Sequence, residues 1–343
     1  MFLGANQTMI ENQPAVERIH AKTKKISIQE RSVLVENMIV VNGYGIQRNS
    51  IKTRFSEGEY TWHETPHFIA FTRSATPALV LVHFFTPEEL NADIKHYVML
   101  ELKPLGLLKQ SSDFGIIFSG IIGSFFPDDA RSAWHGYGAK TLQRFLTYLS
   151  TQRTPQKFDY YATIGVFATW YQRVCELFVG ESLLDVGCES GFLPLVIAER
   201  IPFVTKSTGI DIRPDMFAVA RELAEEWHLS AVHFEEADLL ANNFYSLGKF
   251  DTVTAIGVIE HFSEEDMYRV LTNLLAVTAQ RLIFVVPYEQ DMEIIYDHKQ
   301  LFTPEKLEAV GRWCVQQFGG TARMWREECN GGLLLVERHA SAK

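Results

Sequence analysis

The side chains best suited to chemistry follow a series of apolar runs in the second half of the chain. Residues 183–186 are apolar apart from Asp185 and predict a buried strand. Gly187 and Gly191 bracket the turn that follows, and glycine allows both a positive φ and the close approach of a ligand. A helix predicted over residues 192–200 begins directly after this turn. The unpaired N–H groups and positive dipole end of that helix suit an anionic or polar ligand.

An acidic residue follows this turn at the end of the next predicted strand. Residues 206–212 predict a second strand, and Asp211 lies at its tip, twenty residues after Gly191. A carboxylate in that position can accept hydrogen bonds from the diol of a ribose. Two further strands are predicted over residues 231–236 and 250–257, and the second of them runs into Ile259-Glu260-His261.

Together these elements resemble the class I S-adenosylmethionine-dependent methyltransferases, in particular a branch with small-molecule enzymes whose fourth strand ends in Ile-Glu-His. The resemblance covers about residues 158–338, and the N-terminal half carries none. It implies an α/β fold with a Rossmann-like seven-stranded sheet flanked by helices. It also implies S-adenosylmethionine as the cofactor, bound at the carboxyl ends of the strands.

Each matching residue acquires a role from this resemblance. Asp185 would help to hold the amino group of the cofactor, Asp211 the ribose, and Asp238 the amino group of adenine. Ile212 would pack against the adenine ring, and Gly257 would lie under the cofactor near the transferred methyl group. The glycines of the first turn would let the methionyl part approach.

One position of the turn departs from the family pattern. A third glycine usually lies between the other two, and here that position is Glu189. The substitution either adds a polar contact or reduces the affinity for the cofactor, and a non-catalytic scaffold is the alternative function that it suggests.

The acceptor side of the predicted site contains two histidines. Methyl transfer is an in-line displacement that depends mainly on positioning and the exclusion of water, and some acceptors also need a general base. His261 is the first candidate for that base and His298 the second, and a structural hydrogen bond is the alternative role for each. Glu260 and these histidines partly resemble the metal site of small-RNA terminal methyltransferases. The additional carboxylate of that site corresponds here to Gly257, so no metal is expected.

The rest of the chain predicts a second domain. We expect a polar arm over residues 1–30, a smaller α+β accessory, substrate or dimerisation domain over 31–152, and the cofactor-binding domain over 153–343. The sequence also predicts a strand over 32–41, a strand-like piece over 45–53, helices over 86–102, 128–150, 158–179 and 214–228, a linker over 151–156, and a hairpin over 321–337. The aromatic residues Tyr160, Tyr161, Trp170 and Tyr171 would form a lid over the cofactor or part of the core.

Composition narrows the function classes. The 343 residues are 47% hydrophobic and 22% charged, and no apolar run is long enough to span a membrane. Four cysteines without paired spacing predict a reducing, cytoplasmic setting. Residues 181–343 carry 14 Lys and Arg against 26 Asp and Glu, which disfavours a nucleic-acid substrate.

The sequence therefore predicts a methyltransferase acting on an O, N or C nucleophile of a small metabolite, with an N-terminal domain that covers the acceptor or forms a homodimer. The alternatives are an RNA methyltransferase with the N-terminal domain as RNA reader, a nicotinamide-dependent oxidoreductase, and the scaffold. The oxidoreductase lacks its G-x-G-x-x-G spacing, since the turn is Gly187-Cys188-Glu189-Ser190-Gly191.

Overall fold

A computed structural model of the chain describes residues 31–36, 38–56, 60–73, 76–151, 164–241, 244–292, 294–318 and 322–338. These residues form two compact units that divide between Thr141 and Leu142, inside a helix. The predicted arm and nearly all of the predicted linker lie outside the described residues. The domain boundaries and roles proposed from the sequence stay predictions.

The N-terminal unit contains a five-stranded sheet and helices. Its elements are β1 (Ser32–Val35), β2 (Met38–Asn42), α1 (Arg48–Ser56), β3 (Tyr60–Glu64), β4 (Phe68–Arg73), β5 (Thr76–His83), α2 (Ile94–Leu102), α3 (Ser111–Gly123) and α4 (Ala130–Thr151), the last of which continues into the second unit. The strand order is β1-β2-β5-β4-β3. The pair β2 and β5 is parallel, and the other neighbours are antiparallel.

The strand-like piece predicted over residues 45–53 is wrong, because this segment contributes most of helix α1. Ile51 and Phe55 lie four residues apart on one face of the helix, and both are buried. The ring of Phe55 lies 4.4 Å from the ring of Phe71 on β4. Two apolar residues are too few to reveal a helical period in a short segment, so packing against the sheet decides its structure.

The strand predicted over residues 32–41 is divided in two. A turn at Glu36, where φ is +52°, separates β1 from β2, and the two strands pair with each other. A single strand was expected because the whole stretch is rich in Val and Ile.

The helix predicted over residues 86–102 is also interrupted. It starts as a 3₁₀ turn over Pro87–Glu89 and resumes as α2. Between the two, the side chain of Asn91 accepts a hydrogen bond from the N–H of Asp93 at 3.0 Å. Such a local side-chain bond offers the backbone an alternative to continued helix.

The C-terminal unit is built on a mixed seven-stranded sheet. Its further elements are α5 (Ile164–Leu177), β6 (Ser182–Val186), α6 (Phe192–Arg200), β7 (Lys206–Asp211), α7 (Ala218–Glu226), β8 (Val232–Glu236), β9 (Phe250–Ile256), α8 (Glu264–Val277), β10 (Thr278–Val286), α9 (Pro304–Gln317), β11 (Ala322–Glu328) and β12 (Gly332–Arg338). The strand order is β11-β12-β10-β9-β6-β7-β8. Strand β12 is antiparallel to both neighbours, and the other pairs are parallel.

Most of the elements predicted for this unit are present with bounds that differ by a few residues. The expected glycine turn is followed by helix α6, and the expected closing hairpin forms with its turn at Asn330 and Gly331, where φ is +48° and +135°. Helix α5 begins at Ile164, and residues 158–163 of the predicted helix lie outside the described residues.

The core of this unit explains why the central strands are continuous apolar runs. Val253 and Ala255 on β9 and Phe284 on β10 are fully buried. Strands covered by helices on both faces bury side chains of both orientations, so hydrophobic residues do not alternate with polar ones. Among the described residues, none of the helices has the length and apolar character needed to cross a membrane.

Helix α9 offers a test of the local structure. The hydroxyl oxygen of Thr303 accepts a hydrogen bond from the N–H of Lys306 at 3.2 Å and caps the helix. We expect Thr303→Ala to lower the free energy of unfolding in urea by about 1 kcal/mol, the usual contribution of such a cap. The control is Thr272→Ala on the exposed face of α8, where alanine suits the helix interior. An equal loss in both variants would show that the cap does not stabilise the helix.

Candidate functional site

Four loops lie side by side at one edge of the seven-stranded sheet. Strands β9, β6, β7 and β8 are parallel neighbours in that order, so their carboxyl ends point the same way. Val186 on β6 pairs with Ile210 on β7 and with Ala255 on β9. Open α/β sheets bind ligands at this edge. Most residues predicted for the site lie in these loops. Asp185 and Asp211 are instead the residues at the ends of β6 and β7, and His298 lies after β10.

The turn after β6 leaves no space for larger side chains. Gly187 and Gly191 have φ of +62° and +71°. A Cβ at Gly187 would lie 2.7 Å from Cγ2 of Val258, and a Cβ at Gly191 would lie 2.5 Å from the ring of Phe234. Both positions therefore require glycine, because φ is positive and because a Cβ atom would clash with a neighbouring side chain. Helix α6 begins at the next residue, as predicted.

Glu189 adopts a left-handed conformation in this turn, with φ of +46°. An L-residue with a side chain pays about 1 kcal/mol or more for that conformation, which glycine adopts without cost. The family pattern of glycine at this position thus has a physical reason, and Glu189 retains the backbone shape at the expense of strain. The N–H of Glu189 donates a hydrogen bond to Oδ2 of Asp211 at 3.1 Å.

Asp211 connects the two strands that carry the site. Besides the bond from Glu189, its Oδ1 accepts a hydrogen bond from the N–H of Arg213 at 3.0 Å. The Nε of Arg213 lies 3.7 Å from the same oxygen. The residue is 8% exposed. Because a carboxylate has about four lone-pair positions, both oxygens keep the capacity to accept from a ligand. The ribose contact expected of Asp211 stays a prediction.

Asp185 lies beneath the turn and is almost completely buried. Its Oδ1 accepts a hydrogen bond from the hydroxyl of Thr254 on β9 at 2.7 Å. Burial raises the pKa of Asp185 to about 7; the Thr254 hydrogen bond opposes this effect, and the charge of Asp211 adds to it. The expected contact with the cofactor's amino group stays a prediction, as does its alternative, a structural carboxylate.

The other predicted cofactor residues lie around the same edge. Ile212 is 61% exposed directly after β7. Asp238 is exposed, and its Oδ1 accepts a hydrogen bond from the N–H of Leu240 at 2.8 Å. Gly257 has φ of +65°, and its N–H donates to the carbonyl of Val285 at 2.8 Å.

Three potential ligands of a cation lie together, two in the loop after β9 and one in the connection between β10 and α9. Side-chain ligand atoms of Glu260, His261 and His298 all lie within 4.8 Å of one another. The rings of the two histidines are 4.9 Å apart. Nδ1 of His261 lies 3.3 Å from the carbonyl oxygen of Asp297. Burial, followed by the proximity of His298, lowers the pKa of His261. The structure thus brings both predicted histidines to one place.

Sequence reasoning missed the carboxylate that holds His298. Nδ1 of His298 lies 2.7 Å from Oε2 of Glu289. Both side chains are largely buried. No spacing rule relates two loop residues that are nine positions apart, so no signal in the sequence indicates this contact.

Glu260 is 2% exposed, and its Oε2 has no hydrogen-bond partner. Burial raises the pKa of Glu260 to about 7. In the sequence, only the apolar neighbours Val258 and Ile259 indicate that the Glu260 side chain is buried.

Two of the four aromatic residues considered for a lid belong to the core. The indole Nε1 of Trp170 donates a hydrogen bond to the carbonyl of Cys329 at 2.5 Å. The ring of Tyr171 lies 5.0 Å from that of Phe145. Both residues are buried. Tyr160 and Tyr161 lie outside the described residues.

The strain at Glu189 predicts a stabilising substitution. We expect Glu189→Gly to raise the free energy of unfolding by about 0.5–1 kcal/mol, because relief of the left-handed strain exceeds the entropy that glycine adds to the unfolded chain. Glu189→Ala is the matched control, since it removes the side chain but keeps the strain. Thermal and urea unfolding of both variants test this, and a larger gain in the alanine variant would refute it.

The pKa of Asp185 predicts a dependence of stability on pH. Because its folded-state pKa lies above the ordinary value of 3.8, the folded protein binds the proton more tightly than the unfolded chain. That stabilisation is complete below about pH 4 and is lost as the pH rises through about 7. In urea unfolding, the stability of Asp185→Asn relative to the unsubstituted protein should increase by more than about 1 kcal/mol between about pH 5 and about pH 7.5.

Asp251 provides a control of opposite sign. Burial opposes its ionisation, but hydrogen bonds from Gln280, Glu181 and Ser182 hold its pKa below the ordinary value. Its contribution is therefore constant over the same pH range, and Asp251→Asn should lose a constant amount of stability. A constant difference for Asp185→Asn as well would mean that Asp185 is ionised throughout.

Comparison with known proteins found similarity to methyltransferases. The profile of a family described as "Methyltransferase domain" matches residues 183–281. A demethylmenaquinone methyltransferase from Porphyromonas gingivalis is 30% identical over 118 residues, which are 32% of this chain and 48% of the relative. A ubiquinone biosynthesis O-methyltransferase from Glaesserella parasuis is 25% identical over 158 residues, which are 40% of this chain and 64% of the relative. The chain thus spans less than two thirds of the length of either relative.

Two solved structures are also similar. An O-methyltransferase family protein from Burkholderia thailandensis has 17% identity and a TM-score of 0.47, over 87% of this chain and 86% of that chain. A magnesium protoporphyrin IX methyltransferase from Synechocystis PCC 6803 has 16% identity and a TM-score of 0.39, over 57% and 94%. The matched domain and the curated relatives support a class I S-adenosylmethionine-dependent methyltransferase in the C-terminal half of this chain.

Proposed function

We propose that this protein uses S-adenosylmethionine to methylate a small-molecule acceptor. The observation that carries the proposal is the hydrogen bond between the N–H of Glu189 and the carboxylate of Asp211. It joins the glycine turn of β6 to an acidic side chain at the tip of β7, inside the segment that matches a methyltransferase domain. A carboxylate held in this way is oriented before any ligand arrives.

The residues at the sheet edge fit the parts of the cofactor. Asp211 keeps lone pairs for the ribose diol. Ile212, exposed beside it, offers an apolar surface for the adenine ring. Asp238 is exposed one loop further along the edge and can accept from the adenine amino group. The tight turn between Gly187 and Gly191 lets the backbone approach the methionyl part.

Charge supports the same assignment. Burial raises the pKa of Asp185, and the negative charge of Asp211 adds to this effect. A ligand with a positive sulfonium and ammonium group would favour the ionised carboxylate. Binding of such a ligand is therefore expected to release a proton from Asp185 near neutral pH.

The chemistry divides between the cofactor and the chain. S-adenosylmethionine supplies a methyl group on a positively charged sulfur. The protein holds the acceptor in line with that carbon and excludes water from it. Gly257 lies at the mouth of β9, and His261 and His298 lie next to each other beyond it, where we place the acceptor.

Two considerations favour a small acceptor over a nucleic acid. Residues 181–343 carry a net charge of −12, which repels a phosphate backbone. The two curated relatives bear the names of enzymes of demethylmenaquinone methylation and ubiquinone biosynthesis, which are small-molecule reactions.

Calorimetric titration of the purified protein with S-adenosylhomocysteine, NAD and NADP tests this proposal. We expect saturable binding of S-adenosylhomocysteine alone, with a stabilisation of about 2.7 kcal/mol at a hundredfold excess over its Kd. Asp211→Asn should weaken binding about tenfold or more, because it removes hydrogen bonds to a charged acceptor. Glu225→Gln, an exposed substitution on α7, should leave binding unchanged.

Two outcomes would contradict the proposal. Binding of a nicotinamide nucleotide in place of S-adenosylhomocysteine would favour the oxidoreductase. Binding of none of the three, by a folded protein, would favour the scaffold, and Glu189→Gly would then be the first variant to test for recovery of binding.

A further inference from the structure

We propose that Glu260, His261 and His298 bind a divalent transition-metal ion. The inference goes against the sequence-based expectation of no metal, which rested on the glycine at position 257. In the part of the chain that the structure describes, these three residues form the one group of histidine, cysteine and acidic side chains close enough to hold an ion. The argument rests on their geometry, on what orients the two imidazoles, and on the isolation of the carboxylate.

The spacing of the ligand atoms is close to that of a coordinated ion. Bonds from zinc to histidine nitrogen and carboxylate oxygen are about 2.0–2.2 Å, so ligand atoms around one ion are roughly 3–4 Å apart. The three ligand atoms here lie within 4.8 Å of one another. Movements of about 1 Å by side chains would complete the site. Two imidazoles and one carboxylate suit zinc, iron, cobalt or nickel better than magnesium or calcium.

Both imidazoles are oriented as metal ligands usually are. Nδ1 of His298 lies 2.7 Å from Oε2 of Glu289, and Nδ1 of His261 lies 3.3 Å from the carbonyl oxygen of Asp297. Since a carboxylate accepts hydrogen bonds, Nδ1 of His298 donates to Glu289, which directs the lone pair of Nε2 away from it. The same tautomer of His261 would direct its Nε2 to the ion. A carboxylate or carbonyl on the second nitrogen is the usual support for a metal-binding histidine.

Glu260 supplies the second, independent observation. Its side chain is 98% removed from solvent, and Oε2 has no hydrogen-bond partner. A buried carboxylate without a partner is costly, and a cation is one of the few groups that would offset that cost. The backbone fixes it beside the histidines, since its carbonyl accepts from the N–H of Lys299 at 2.9 Å, next to His298.

Gly257 leaves space beside this carboxylate. A Cβ there would meet only Oε1 of Glu260, at 3.6 Å. Catalytic metal sites hold the ion with three protein ligands and leave a further position open, whereas structural sites are closed. The glycine that counted against a metal is therefore consistent with an ion that keeps an open position towards the loop after β9.

This open position deepens the proposed function and, for its role in catalysis, rests on it. An oxygen of the acceptor would bind the ion there, and the ion would lower the pKa of an acceptor hydroxyl. The hydroxyl proton would leave to solvent, and the oxygen would use the electron pair that it keeps to bond to the methyl carbon. The bond between that carbon and the sulfonium sulfur breaks at the same time, and its electron pair stays on sulfur, which leaves S-adenosylhomocysteine. The acceptor class is then a small molecule with a metal-binding hydroxyl group, and the histidines act as ligands of the ion.

Titration of the chelator-treated, untagged protein with Co²⁺ tests the site directly, because the visible spectrum of Co²⁺ reports nitrogen and oxygen ligation. Zn²⁺ is added in a parallel thermal-unfolding series. We expect saturation near one equivalent and a higher Tm with Zn²⁺. Glu260→Gln, His261→Ala and His298→Ala should abolish the spectrum or weaken binding more than tenfold, whereas His233→Ala, an exposed histidine on β8, should bind as the unsubstituted protein does.

Glu289→Gln distinguishes a metal site from a simple hydrogen-bonded cluster. It keeps the size of the side chain but removes the charge that supports His298, and loss of such a partner usually costs about 10–100-fold in metal affinity. Absence of saturable Co²⁺ and Zn²⁺ binding, or binding that none of the four substitutions weakens, would overturn the proposal. Circular dichroism excludes unfolding of a variant as the cause of a loss.

S-adenosylhomocysteine is titrated into the same samples so that the two proposals can fail separately. Cofactor binding without Co²⁺ or Zn²⁺ binding refutes the metal site alone. Metal binding without cofactor binding refutes the proposed function and leaves the site without its role in methyl transfer.

Discussion

The candidate site depends on the hydrogen bond from the N–H of Glu189 to the carboxylate of Asp211. It connects the glycine turn after β6 to the tip of β7, two strands whose pairing already aligns Val186 with Ile210. Glu189 accepts a left-handed conformation to present this N–H, so part of the folding energy is stored as local strain. In return, the acid that we assign to the ribose is oriented in advance, which lowers the entropy lost when a ligand binds.

Two buried acids give the same edge an unusual electrostatic character. Asp185 lies beneath the turn of β6, and Glu260 lies in the loop after β9. Burial raises the pKa of each to about 7. Uncompensated buried carboxylates lower stability, and proteins retain them mainly where a ligand supplies the opposite charge. The sulfonium and ammonium groups of the proposed cofactor would offset the charge of Asp185, and the proposed metal ion would offset the charge of Glu260.

The C-terminal unit could be predicted in detail because its signals are local. Apolar runs, glycine turns and helix caps such as Ser263, whose hydroxyl accepts from the N–H of Asp266, set the strands and helices independently of distant contacts. The N-terminal unit was predicted less well. There, α1 contains Ile51 and Phe55 in a short segment whose helical face becomes evident only when it packs on Phe71. Glu36 and Asn91 each divide a predicted element through a single turn.

The sequence by itself determined the class of the sheet and the position of Asp185, Asp211 and the glycine turn, because parallel strands bring their carboxyl ends to one edge whatever the surrounding residues. Only the tertiary structure decided the surroundings of the histidines. His261 lies in the loop after β9, whereas Glu289 and His298 lie in the connection between β10 and α9, and no periodicity relates them. Their contacts, and the isolation of Glu260, arise from the packing of those loops at the end of β9 and β10, which depends on the whole sheet.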